Sequence, residues 1–153
     1  MSVKIPLSFR TRLSKDGLLS IRLLAKVSFQ SRDEYLLPLT AIIDTGAPVS
    51  MIPFNVWGQC VVTRGKQLSI PSITERPECD ILVTQGTITL ALVDDEGNYL
   101  LKDLTIPADL CHTSELPIIL GMHGFLSQGD LRMKYSTEEA WLEFPDSFLG
   151  EQA

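Results

Sequence analysis

The sequence predicts an all-β domain that closes into a barrel, and three observations carry that expectation. Runs of β-branched and aromatic residues are short, and several alternate apolar with polar, most clearly across 81–92. Turn-forming clusters punctuate these runs at 15–17, 30–34, 94–98 and 136–139. The best helix candidate, 121–127, is short. At 153 residues, without internal repeat, low-complexity segment or linker, the chain reads as a single domain over 1–153 that can bury a sizeable core.

In chain order, 3–9 alternates loosely and Lys15-Asp16-Gly17 marks the first turn. An apolar-rich run follows at 18–29, and 30–34 is a polar loop. Residues 35–43 form the next extended run, with Pro38 pointing to an edge or an irregular start. One helical turn fits 53–58, and extended patterns resume at 61–63 and 67–70. Two prolines punctuate 71–80, after which 81–92 and 99–106 flank the acidic turn Asp94-Asp95-Glu96-Gly97-Asn98 as a hairpin. A polar connection at 108–116 leads into the run 117–121, and 131–135 with 140–144 makes a terminal hairpin.

The chemistry concentrates at Leu-Thr-Ala-Ile-Ile-Asp-Thr-Gly-Ala-Pro, residues 39–48. An apolar run delivers one carboxylate, Asp44, and the chain turns at once through Thr45, Gly46 and Ala47. Burying an aspartate beside β-branched residues costs several kcal/mol unless hydrogen bonds or a raised pKa relieve it, so a chain that does so generally uses the carboxyl group. Glycine permits a tight bend and close approach to a ligand, and threonine offers a hydroxyl to hold the turn. The plainer alternative is an aspartate that braces its own corner. A second apolar run closed by glycine, Pro117-Ile118-Ile119-Leu120-Gly121, precedes the helix candidate.

Together, Asp44-Thr45-Gly46-Ala47 and Ile119-Leu120-Gly121 resemble the catalytic turn and the hydrophobic-Gly element of the retropepsin-like aspartic proteases, the retroviral protease group with its cellular and bacterial relatives. The continuation through Phe125-Leu126 and 130–135 is similar to that group's helix and final strand, and the likeness runs over about 36–144. It implies an acid-protease barrel, a symmetric homodimer and an aspartic endopeptidase without metal or cofactor, acting on a peptide or protein substrate. Asp44 would be catalytic, and Thr45 and Gly46 would support the catalytic turn, Thr45 by locking two such turns across the dimer. Gly46 and Ala47 would bind the substrate strand through their backbone. The strand at 119–121 would pack beneath the turn, and the terminal strands at 3–9 and 140–144 would supply much of the dimer sheet.

By position, a covering flap falls at 70–83 with its tip at 74–79, which makes Thr74 and Glu75 candidate substrate contacts. The viral relatives carry a glycine-rich tip, whereas this one has Pro71, Pro77 and no glycine. Met122-His123 stands where viral members carry Arg followed by Asp or Asn, so an ion pair from that arginine does not transfer. The same fold holding peptide without cutting it is the alternative function, since fold does not fix chemistry.

Hydrolysis by carboxylates needs two of them about 3 Å apart, sharing one proton. The sequence has one Asp-Thr/Ser-Gly, and Asp16, Asp33, Asp80, Asp94, Asp95, Asp103, Asp109, Asp130 and Asp146 read as polar or turn aspartates. If the mechanism is aspartic, the second carboxylate is Asp44 of another copy, across an isologous two-fold interface. His123 reads more simply as a helix-start histidine than as a proton donor. Cys111-His112 reads as strand neighbours on opposite faces rather than a nucleophile or metal pair. Trp57 and Trp141 read as core or interface aromatics, and the acidic turn at 94–96 as a solvated tip.

Net charge is −6, with no basic cluster, which argues against nucleic acid or an anionic membrane as partner. The start, Met-Ser-Val-Lys-Ile-Pro, lacks the apolar core of a signal peptide, and Arg22 and Lys26 interrupt the most apolar window. Cys60, Cys79 and Cys111 are odd in number at unrelated spacings, which disfavours a disulfide framework. These features read as a cytoplasmic chain.

Overall fold

The structure is a computed structural model that describes residues 2–71 and 80–146. Eleven strands form one sheet. They are β1 (Ser2–Leu13), β2 (Leu19–Ser31), β3 (Glu34–Tyr35), β4 (Leu39–Ile43), β5 (Ser50–Ile52) and β6 (Val62–Ile70). After these come β7 (Ile81–Val93), β8 (Tyr99–Cys111), β9 (Ile118–Leu120), β10 (Asp130–Lys134) and β11 (Glu139–Pro145). The path is β10-β11-β1-β2-β4-β9-β5-β8-β7-β6, with β3 on β2. A further pairing of β2 with β7 closes β2-β4-β9-β5-β8-β7 into a six-strand barrel. The all-β, barrel-like architecture is as the strand and turn pattern predicts.

Long β2 makes this closure possible. Its first half pairs with β1, its middle with β4, and Lys26 to Phe29 pair with Val93 to Leu90 of β7. Inward positions alternate as a half-buried strand requires: Leu23, Ala25, Val27 and Phe29 on β2, Ala41 and Ile43 on β4, Leu104, Ile106, Ala108 and Leu110 on β8. Ile118 and Leu120 of β9 complete this wall. Phe125 and Phe144, both fully buried, pack with ring centroids 5.6 Å apart.

The β7–β8 turn is the acidic one seen in the sequence. Asn98 donates to the Asp94 carboxylate from its backbone N–H (2.8 Å) and its side-chain amide (3.1 Å), and Glu96 N–H adds a bond at 2.9 Å; these donors hold the carboxyl below the usual range. Residues 53–58 give the short helix α1 (Phe54–Trp57). The segment 121–127 is instead a set of turns ending in one 3-10 turn, Leu126–Gln128. Gly124 adopts φ +74°, which a right-handed helix cannot continue through, and an added Cβ there would run into the Pro107 ring.

The terminal hairpin forms as β10–β11, with Lys134 opposite Glu139. Over 140–143, β11 pairs with β10 and also with β1, so its central backbone has neighbours on both edges. The dimer-sheet role expected for 140–144 therefore meets an edge already filled within the chain. β6 and β10, at the two ends of the strand path, each have one unpaired edge among the described residues.

Candidate functional site: the Asp44 turn

β4 and β9 run parallel, with Ala41, Ile42 and Ile43 opposite Ile118, Ile119 and Leu120. β5, the strand leaving the turn, does not return beside β4; it pairs with β9 on the far side, Met51 opposite Ile119. The loop 44–49 thus passes over the end of β9, and Asp44 sits where the two parallel strands finish.

Backbone bonds fix this loop. Asp44 N–H donates to Leu120 C=O (3.0 Å), extending the parallel ladder by one residue, and Ala47 N–H donates to Asp44 C=O (3.2 Å). Gly46 N–H donates to Asp44 Oδ1 at 2.8 Å. Among the described residues the other carboxylate oxygen takes no hydrogen bond, and the side chain is half-buried. Strand alternation puts Asp44 on the face of Ile42, outside the barrel core.

The chain following β9 grips the loop from below. Met122 N–H donates to Ala47 C=O (2.9 Å), and His123 N–H to Pro48 C=O (2.8 Å). Gly121 N–H donates to Ser50 Oγ at 2.9 Å, in a buried position. A Cβ on Gly121 would stand 2.6 Å from Ala47 O and 2.9 Å from the Val49 carbonyl, so only glycine fits beneath the turn. This gives Gly121 a physical reason that the sequence motif alone does not contain.

Gly46 owes its place to a different cause from the one its sequence context suggests. It does not adopt a left-handed φ. An added Cβ would lie 3.2 Å from Asp44 Oδ1, crowding the carboxylate that its own N–H binds. Thr45 is exposed, and its hydroxyl makes no hydrogen bond among the described residues. Ala47 commits its N–H to Asp44 C=O and its C=O to Met122 N–H, whereas the Gly46 C=O has no partner among the described residues. Thr74 and Glu75 lie outside the described residues. The strands leading to them, β6 and β7, pair antiparallel from Val62↔Ile88 to Ile70↔Ile81, as hairpin arms do.

Other residues singled out in the sequence occupy structural places. Cys111 is buried, with its thiol pushed up to about 11, chiefly by desolvation. His112 Nε2 lies 2.7 Å from Thr84 Oγ1, and its ring stacks edge-on to Trp57. His123 is exposed and contributes its backbone. Trp57 Nε1–H donates to Cys111 C=O (2.7 Å), while the Trp141 ring lies under Lys4 Nζ at 4.0 Å.

Two residues gain a role that sequence reasoning missed. Ser50 is fully buried and holds Gly121; a lone hydroxyl inside Val49-Ser50-Met51-Ile52 was the available signal. Asp109 lies not in a polar connection but on β8, which continues to Cys111. It is half-buried, and desolvation raises its carboxyl above the ordinary range.

No protein-family model and no curated protein matches the chain. Among solved structures it is similar to the crystal structure of a retropepsin-like aspartic protease from Rickettsia conorii. The two share 16% identity with a TM-score of 0.49, over 94% of this chain and 93% of that one. That structure belongs to the family that Asp44-Thr45-Gly46 and Ile119-Leu120-Gly121 resemble.

Proposed function

We propose that the chain is an aspartic endopeptidase that works as a homodimer, with Asp44 of each subunit forming the catalytic dyad. The observation that carries this reading is the Asp44 turn itself. A half-buried carboxylate stands at the end of two parallel strands, one oxygen held by Gly46 N–H and the other unbonded within the described residues. The loop that carries it is held at Asp44, Ala47, Pro48 and Ser50 by the end of β9 and the residues after it.

One such carboxylate cannot act alone. In a pair, one ionised group takes a proton from water as it attacks the scissile carbonyl, and the protonated partner donates to the oxygen on which charge develops. Breakdown of the tetrahedral intermediate returns the proton to the departing amine. The apparent pKa values belong to the pair, since neither can ionise independently of the other. The exposed Thr45 hydroxyl suits contact with the partner's turn, and the unpaired Gly46 C=O suits a substrate N–H in β-strand addition. The arms β6 and β7 would carry a cover over the cleft, with Thr74 and Glu75 near its tip.

Subunit mixing tests the shared dyad. Wild type is exchanged with an excess of Asp44→Asn chain and peptide cleavage is followed. If each dimer needs two Asp44 carboxylates, activity per wild-type chain falls in proportion to the chance of meeting a wild-type partner, to about half at equal mixing. Activity that stays constant per wild-type chain would show that one Asp44 suffices, and would reject the dyad.

A further inference from the structure

Asp109 lies on the same exposed sheet face as Asp44, on the other side of an apolar row. Register places Ile42 opposite Ile119, Ile119 opposite Met51, and Met51 opposite Asp109, with Gln85 beyond. Each of these residues alternates with buried neighbours, Ala41 and Ile43, Ile118 and Leu120, Ser50 and Ile52, Ala108 and Leu110, so all point away from the barrel core. Ile42, Ile119, Met51 and Asp109 are each half-buried.

A half-buried carboxylate ordinarily finds a cation or several donors. Among the described residues none of the ion pairs or side-chain hydrogen bonds reaches the Asp109 carboxylate. Burial disfavours its charge, and nothing within the described fold offsets this. Lys26 and Arg132 engage different acids, Asp95 for the first and Asp130 and Glu143 for the second.

We infer that Asp109 is a specificity-determining residue that receives a lysine or arginine side chain of the bound peptide. This rests on the reading that the Asp44 face binds an extended peptide. Three strand spacings of about 4.8 Å separate Ile42 from Asp109, so a peptide crossing the row at about 3.4 Å per residue reaches it within roughly four residues of the scissile bond. Ile42, Ile119 and Met51 would meet the apolar parts of the peptide in between, and the aliphatic stem of a lysine or arginine suits the Met51 side of the carboxylate.

The test profiles cleavage of a proteome-derived peptide mixture by the full chain and by Asp109→Asn, which keeps the shape and removes the charge. The expected result is enrichment of Lys or Arg at one position within about four residues of the cut, reduced roughly tenfold in Asp109→Asn. Cleavage without a basic preference, or with one that survives in Asp109→Asn, overturns the inference while the protease reading stands. If wild type cleaves nothing, the protease reading falls, and binding decides Asp109. Fluorescence anisotropy then compares a labelled lysine-containing peptide pool with the same pool acetylated on lysine, which removes the charge. Loss of binding on acetylation in wild type, absent in Asp109→Asn, supports the inference; equal binding, or none, overturns it.

Discussion

Ser50 Oγ accepts the backbone N–H of Gly121 at 2.9 Å, in a place where both residues are buried. This bond ties the strand leaving the Asp44 turn to the residue that follows β9. Ser50→Ala leaves a buried N–H without a partner, which costs about 1–3 kcal/mol. Urea denaturation should show that loss. If the loop carries the reacting carboxylate, kcat should also fall more than KM rises. Unchanged stability would mean that water or a shifted loop replaces the hydroxyl.

Gly121→Ala should act more severely on the site than on the fold. The new methyl meets backbone at Ala47 and Val49 rather than a yielding side chain, so the turn must move. Overpacking of this kind costs about 1–3 kcal/mol. The barrel has other supports, so circular dichroism should remain that of the native protein while cleavage is lost. An active Gly121→Ala variant would show that the turn tolerates displacement.

Tyr35 supplies a pH-dependent contribution far from the turn. Its hydroxyl donates to Asp103 Oδ1 (2.6 Å) and accepts from Asp103 N–H (2.9 Å), at a residue with φ +58°. Burial, followed by the bond to Asp103, pushes the phenol up from 10.0 to about 12. Because the folded pKa lies above the unfolded one, this contribution is complete below pH 10 and is lost as pH rises through about 12. Tyr35→Phe should cost about 1 kcal/mol at neutral pH. The difference from wild type should shrink above pH 10, measured by denaturant unfolding across that range. A difference independent of pH would refute the assignment.

Cys60 and Cys111 should resist alkylation in the native state. Burial pushes both thiols up to about 11, so little thiolate exists at pH 8. Peptide mapping after iodoacetamide treatment should find both modified only after unfolding. Rapid native modification of Cys111 would show that β8 opens at its end.

The sequence disclosed the strands through period-2 alternation and the turns through residues such as Gly97, because both signals are local. It disclosed Asp44 because an apolar run ending in Asp-Thr-Gly is unusual within a few residues. Barrel closure was not legible: Lys26↔Val93 pairing joins positions distant in the chain, and nothing local marks it. Nor was the clamp of Gly121 on Ser50, which depends on β9 lying between β4 and β5. Gly124 stands among helix-like neighbours in the sequence, and its left-handed φ of +74° beside the Pro107 ring, distant in the chain, has no local signal. Asp109 was grouped with loop aspartates because the polar residues after Cys111 obscured where β8 ends.

Whether Asp44 performs the proposed peptide hydrolysis is decided by mass-spectrometric mapping of new termini in a complex peptide mixture, between about pH 4 and 7, the span expected of a carboxyl dyad. Wild type and Asp44→Asn are compared after each is shown to be folded and dimeric. The proposed aspartic protease predicts cleavage by wild type and none by Asp44→Asn. Cleavage by both, or no cleavage by a folded wild-type dimer, would contradict it, and the second outcome would point to peptide binding without catalysis.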